Sequence, residues 1–337
     1  MAEAAVDLEP WLETLREIVA AHRLPEPGAW SRWRTSAEGR SCGVDPYGCA
    51  DAANLLYTLG ELPRKPDERS AAVEVLREFQ EADGGLFREQ THHPLHTTAH
   101  CLAALELFDA STRHPLSALA ELEEPGAVSK FLAALAWRDD PWLASHEGAA
   151  VYAARVLAGE ASAAFQAEYF AWLAAEADPR TGLWRRGCVE PPFRWGASRF
   201  PQLAGTFHYL FNHEHARRPL PYPAALVDTC LEIFRSDPYP LGSALVGFAE
   251  VDWVYCTTRA FAQSGRRRSD VQSALRSFSA RYLEFLDALD WDATPGAGDL
   301  HAIFGAVCAL AELQRVLPGS LVSRRPLRLV LDRRPFI

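Results

Sequence analysis

Asp140-Pro-Trp-Leu-Ala-Ser-His-Glu-Gly-Ala-Ala-Val, residues 140–151, holds the signal that decides the fold: an Asp-Pro turn leading into a helix of small apolar residues. Turns of the same kind open at Asp45-Pro-Tyr-Gly, Asp83-Gly-Gly-Leu-Phe, Asp178-Pro-Arg-Thr-Gly-Leu-Trp, Asp237-Pro-Tyr-Pro-Leu-Gly and Asp292-Ala-Thr-Pro-Gly. Six such units at a spacing of about fifty residues mark a stacked or closed array of one repeated motif.

Outward from these turns, apolar residues recur at helical spacing, as in Leu12, Leu15, Ile18 and Val19, and little reads as strand. One set of predicted helices, at 8–22, 67–82, 126–137, 160–177, 222–236 and 269–290, carries charge along one face, such as Glu74, Arg77, Glu78 and Glu81. The other set, at 47–60, 95–109, 146–158, 203–217, 251–264 and 299–316, is rich in Ala and Gly and poorer in charge. Amphipathic helices need water on one side, whereas small-residue helices approach one another closely. Alternation of the two kinds gives outer–inner pairs. The expected fold is all-α: one (α/α)6 toroid over 1–317, with a tail at 318–337 packing on the barrel.

The links from outer to inner helices are mostly the longer ones and carry the Asp-Pro and Gly-Gly turns, all on the face where the inner helices begin. Long loops in a compact domain are usually functional, so the mouth is expected there. The segment 178–202 holds Trp184, Arg185, Arg186, Arg194, Trp195 and Arg199, and could act as a lid whose arginines clamp a carboxylate or phosphate, with solvated loop charge as the favoured alternative.

The inner-helix starts bring polar groups to that mouth. Asp51 lies on the first, His96 and His100 on the second, and His146 and Glu147 on the third. His208 follows on the fourth, Asp252 on the fifth, and Asp299 with His301 on the sixth. A carboxylate at such a position either caps its helix or serves as a catalytic acid or base. His96 and His100, four apart, share a helix face, with His92 and His93 nearby; a structural or general-base role is favoured over a metal site. Tyr57, Tyr152, Phe207, Tyr209, Trp253, Tyr255 and Phe304 offer rings to a cavity, although aromatics at helical spacing usually form core. His213, Glu214, His215, Arg217 and Arg218, at the far end of the fourth inner helix, read as structural.

Composition narrows the function. The 337 residues carry a formal net charge of -10, which argues against a nucleic-acid surface. The chain is 48% hydrophobic with 10 Trp and 17 Phe, enough for a sizeable core. No run of 18 apolar residues suggests a membrane span, and the acidic start lacks the apolar stretch of a signal peptide. Seven scattered cysteines are expected to be reduced thiols in a cytoplasm. The single Met among many Leu, Ala and Arg points to a GC-rich bacterial genome.

Arg77-Glu-Phe-Gln-Glu-Ala-Asp-Gly-Gly-Leu-Phe resembles the Q-x-x-x-G-x-W repeat of the terpenoid cyclase and protein prenyltransferase superfamily. Gln80 and Gly84 or Gly85 match, and Phe87 stands for Trp. His96-Thr-Thr-Ala-His-Cys-Leu-Ala-Ala-Leu-Glu-Leu and Asp299-Leu-His-Ala-Ile-Phe-Gly-Ala-Val-Cys-Ala-Leu look like inner helices of that family. The resemblance implies zinc ligands similar to Asp252, Cys256 and His301, although here Asp and Cys are four apart where the family has Asp-x-Cys. No metal is favoured on this ground. The Asp-x-Asp-Asp and D-D-x-x-D/E signatures of the cyclases are absent. Toroids of this kind also carry glycoside hydrolases, sugar lyases and epimerases, where Asp178-Pro-Arg-Thr-Gly-Leu-Trp would be at home.

The leading expectation is therefore a toroid enzyme using acid–base chemistry on a largely apolar substrate, the alternatives being a carbohydrate-active enzyme and a non-catalytic binding module. Asp252 is expected as acid or electrostatic stabiliser, His301 and His146 as proton carriers and Glu147 as orienting group, with His96 and Asp299 as further candidates. Asp51, His100, Tyr152, Trp195, Arg199, His208, Trp253 and Phe304 are expected to contact a small apolar or sugar-like substrate. A homo-oligomer is left open.

Overall fold

A computed structural model describes residues 5–36, 40–190, 198–236, 246–294 and 296–336. The chain is mainly helical. One set of helices comprises α1 (Glu9–Ala21), α3 (Pro66–Glu78), α5 (Ala127–Ala134), α7 (Ala163–Glu176), α9 (Pro223–Ser236) and α11 (Arg268–Asp287). The other comprises α2 (Pro46–Leu59), α4 (Pro94–Leu107), α6 (Pro141–Leu157), α8 (Phe200–His215), α10 (Ala249–Ser264) and α12 (Leu300–Val316). A 3-10 turn at Ser117–Glu123, not foreseen in the sequence, lies between α4 and α5.

The turns act by capping. Asp45 and Asp140 accept the backbone N–H of Gly48 and Leu143 at 2.6 and 3.1 Å, and the following Pro46 and Pro141 sit where a missing N–H costs nothing. Helix α6 thus starts at Pro141 rather than 146, and α8 at Phe200 rather than 203. Gln80 of the repeat-like motif is buried as a clamp: its amide donates to Gly85 O and His114 O, both at 2.8 Å, and accepts from the N–H of Arg113 and His114.

The even-numbered helices are almost wholly buried and pack in chain order, α2 on α4, α4 on α6, α6 on α8, α8 on α10 and α10 on α12. Helix α12 then packs on α2, so the succession closes on itself. The odd-numbered helices cover this layer: α3 lies on α2 and α4, α9 on α10, and α11 on α9 and α10. Small residues let the layers approach. A Cβ on Gly48 would stand 2.5 Å from the backbone of Ser31 and Arg32, so only glycine lets the 29–34 link lie against α2.

The chain ends meet in a short parallel pair, Val6–Asp7 with Leu321–Val322. The tail then turns inward. Arg334, fully buried, donates to Asn54 Oδ1 on α2 and to Ala103 O on α4, while Asn212 on α8 donates to Pro335 O at 2.8 Å. The end of the tail therefore fills the space between α2, α4 and α8. No described helix is long and apolar enough to cross a membrane.

Candidate functional site

A cavity of about 160 Å³ opens where the even-numbered helices begin. Its lining includes Arg32 and His92 from the links, His96 of α4, Trp142 and His146 of α6, and Phe207 and His208 of α8. Phe248, Asp252, Asp299, His301 and Ala302, from α10, α12 and their N-caps, complete it. Of the expected catalytic residues, Asp252, His301, His146, His96 and Asp299 thus meet in one place, joined by His208.

Asp51 and His100 lie immediately beneath. The Asp51 carboxylate is fully buried, and its Oδ1 accepts from His100 Nε2 at 2.8 Å and from His301 Nδ1 at 3.0 Å. Burial alone would raise its pKa, but His301 and His100 outweigh that and hold it below the usual carboxylate range. A carboxylate only accepts, so both rings donate, and the donated Nδ1–H fixes the His301 tautomer with its lone pair on Nε2. Burial pushes His301 down to about 4 in spite of Asp51, leaving a neutral ring on the cavity wall.

Asp252 is the opposite case. It is 3% exposed, and its Oδ1 has no hydrogen-bond partner among the described residues. Burial and then Glu250 raise its pKa well above the usual carboxylate value, which favours the protonated form. Asp299 is both cap and ion pair: it accepts from His301 N at 3.0 Å and takes Arg32 in a bidentate contact at 2.8 and 2.9 Å. Arg32 also donates to Thr91 Oγ1 at 2.7 Å, and its guanidinium lies 5.1 Å from the Tyr47 ring.

The remaining histidines are packed ring against ring. His96 and His146 lie 4.3 Å apart between centroids, and His146 and His208 5.0 Å. Burial lowers all three, His208 to about 3, so they are neutral near pH 7. His96 Nδ1 is paired with Tyr47 Oη; His208 Nδ1 is 3.2 Å from Ala204 O and 3.0 Å from Ser145 Oγ. One ligand atom from each of His96, His146 and His208 lies within 4.8 Å of the others, and the same holds for Asp51, His100 and His301. The Phe336 ring from the tail packs on His96 at 4.9 Å and His208 at 5.7 Å, closing the floor.

Other expected residues lie elsewhere. Glu147 stands off the cavity with Oε2 3.6 Å from His93 Nε2, so the group that orients a proton carrier is Asp51. Tyr152 stacks on Tyr169 at 4.8 Å toward α7, and Trp253 packs on Phe278 at 4.9 Å and donates to Cys230 O. Both are core. Arg199 pairs with Glu190 and Glu232 at 3.4 and 3.3 Å. Phe304 lies beneath the cavity, 6.1 Å from the His100 ring. Trp195 and the Asp237 turn fall outside the described residues.

Asp252, Cys256 and His301 do not make a metal site. The Cys256 thiol is fully buried toward Leu203 O, 3.9 Å away, its pKa raised by burial, and the three do not converge among the described residues. The four-residue spacing keeps both side chains on one face of α10 but sets the thiol about 6 Å farther along the helix, and Cys256 does not line the cavity that Asp252 lines.

Arg32, Trp142, Phe248 and the tail's Phe336 were not foreseen. Trp142 had a signal: it follows Asp140-Pro141 just as Tyr47 follows Asp45-Pro46, and both aromatics stand at the histidine cluster. No protein-family model matches the chain, no curated protein matches it and no solved structure matches it, so the action of the cavity has to be read from its own geometry.

Proposed function

We propose that this chain is an (α/α)6 toroid of six outer–inner helix pairs and an enzyme that performs acid–base catalysis on a small polar substrate in its central cavity. One observation carries the reading: a histidine whose tautomer is set by a buried carboxylate, His301 on Asp51, shares a cavity with a buried carboxyl, Asp252, whose Oδ1 has no hydrogen-bond partner among the described residues. His301 Nε2 accepts a proton from the substrate, and Asp252 delivers one. A base held by a third group and an acid kept neutral by burial are the two parts such chemistry needs near neutral pH.

Size and lining favour a sugar-like substrate over a long isoprenoid. The volume of about 160 Å³ is close to the roughly 150 Å³ that holds one benzene ring, and histidines, Arg32 and two aspartates line much of the wall. The reading keeps the toroid implied by the cyclase and prenyltransferase resemblance and takes the chemistry of the carbohydrate-active alternative. Seven unpaired thiols support a reducing compartment such as the cytoplasm.

The test is a panel of monosaccharides, sugar acids and short isoprenoid diphosphates, followed by NMR for binding and turnover. The expected result is conversion of a ring-sized polar compound by wild type, abolished in Asp252→Asn and His301→Ala with folding kept. Turnover of an isoprenoid instead, or full activity in both variants, overturns the reading.

A further inference from the structure

We propose that His96, His146 and His208 form a three-imidazole site for one zinc-type divalent cation, with its remaining coordination position open to the cavity. The inference deepens the proposed catalytic cavity and rests on that cavity being the working site, though not on the role of Asp252.

Three rings from α4, α6 and α8, of which α6 packs on both others, bring one ligand atom each to within 4.8 Å of the others, all buried. Zn–N bonds of about 2.0–2.1 Å in a tetrahedral site put the nitrogens about 3.4 Å apart, so closure asks for at most about an ångström and a half of ring movement. An all-nitrogen donor set suits zinc and its first-row neighbours and does not suit calcium or magnesium, which take oxygen ligands.

The second nitrogens carry the stronger argument. A metal-bound histidine has its other ring nitrogen held by an oxygen, which fixes the tautomer. His208 Nδ1 lies 3.2 Å from the Ala204 carbonyl, which only accepts, so Nδ1 bears the proton and Nε2 is left as the lone-pair atom. His96 Nδ1 is held by Tyr47 Oη, which leaves its Nε2 likewise without a protein partner among the described residues. The His146 ring makes no hydrogen bond among the described residues and rests edge-on against Trp142 at 4.6 Å, so turning it onto an ion breaks none.

The neighbouring cluster shows the contrast. In Asp51, His100 and His301 the ring N–H groups already occupy the space between ligand atoms, at 2.8 and 3.0 Å from one oxygen. A cation would have to displace both protons there. The two clusters therefore differ: in one, two ring N–H groups already converge on a single carboxylate oxygen, and in the other three imidazoles bring one nitrogen each within 4.8 Å with no hydrogen bond between the rings. A cation held by those three would supply a Lewis acid beside His301 and Asp252.

The experiment is titration of chelator-treated full-length protein with Co²⁺, read by visible absorption, and with Zn²⁺, read by calorimetry. Wild type is expected to take up one equivalent, with d–d bands of low-symmetry nitrogen coordination. His146→Gln, which breaks no hydrogen bond and so leaves the fold intact, should weaken binding by more than about a hundredfold, the upper end of what losing an outer partner costs. His96→Gln and His208→Gln should do the same where circular dichroism shows them folded. Tyr47→Phe, which keeps all three ligands, should weaken binding by about 10–100-fold. His301→Gln should keep one equivalent.

No uptake by wild type, wild-type affinity in His146→Gln, or loss of the site in His301→Gln alone overturns the inference. The two readings fail separately. A wild type that turns over substrate, dies in Asp252→Asn and takes up no cation overturns the metal site alone. A cation-binding wild type whose Asp252→Asn and His301→Ala variants keep full turnover overturns the acid–base reading alone.

Discussion

His213 offers a direct test of the buried histidine electrostatics away from the cavity. It lies near the C-terminal end of α8, 3% exposed, between the rings of Phe170 at 5.1 Å and Trp184 at 5.6 Å. Burial pushes it from 6.5 down to about 4. Above pH 6.5 the ring is neutral whether the chain is folded or not, and the pH-linked term vanishes. As pH falls through 6.5 the unfolded chain takes a proton that the folded one refuses until about 4, so stability is lost across that window. At 1.36 kcal/mol per unit, the loss between pH 7 and pH 5 comes to about 1.8 kcal/mol, and it levels off near about 3.4 kcal/mol below pH 4.

His213→Phe removes the titration and leaves an aromatic ring of similar shape in an aromatic pocket. Any packing offset is the same at both pH values and cancels. Urea unfolding followed by tryptophan fluorescence should show wild type losing about 1.8 kcal/mol more than the variant on going from pH 7 to pH 5. The other buried histidines are common to both proteins and drop out of the difference. Parallel loss of stability in the two would refute the assignment of a proton-refusing ring at this position.

Three further outcomes follow from the same structure. In Asp51→Asn the carboxylate that fixes His301 is gone; ¹⁵N NMR should show the Nδ1–H tautomer of wild type become mixed, and kcat should fall by about 10²–10⁴, whereas an unchanged tautomer and kcat would remove Asp51 from its positioning role. Arg259 and Glu312 form a buried bidentate pair at 2.8 and 3.0 Å, so Arg259→Met should cost about 3–5 kcal/mol and Arg259→Met with Glu312→Leu much less; a double variant as unstable as the single one would contradict this. A Cβ on Gly205 would lie 2.6 Å from Pro141 O, so Gly205→Ala should lower stability by about 1–3 kcal/mol through forced separation of α6 and α8, and a wild-type urea midpoint would show that the helices have slack.

Much of the helical layout was legible because it is local. The periodicity of Leu12, Leu15, Ile18 and Val19 marks a buried stripe, and Asp45 and Asp140 with their prolines mark starts through their own caps. Small-residue composition separated the nearly buried helices from the half-exposed ones, since Ala and Gly are what close helix contacts require. The Ala- and Gly-rich runs put the starts of α6 and α8 at 146 and 203, several residues late, because Pro141 and Pro201 belong to the first helical turns.

The site was legible as a set of residue types and not as a set of partners. Asp252, His301, His146 and His96 each stand in the first two turns of a helix, which a repeat register makes visible, and His208 stands deeper, in the middle of α8. Tyr152 and Trp253 stood on the same helices but face the outer layer, a difference of rotation that aromatic composition does not encode. Arg32 and Phe336 sit in segments without periodicity, so nothing local distinguished them from solvated loop and tail.

The sequence by itself determined that the chain is helical, where most helices start and which of them are nearly buried, because caps, prolines and apolar period act over a few residues. Pairing across the cavity came from closure of the helix succession. It sets Asp51 against His301, 250 positions away, and brings one nitrogen each of His96, His146 and His208 within 4.8 Å of the others. Phe336 of the tail then closes the floor beneath them. Such contacts depend on helix rotation and on which helix meets α2 last, and no short stretch of chain holds that information.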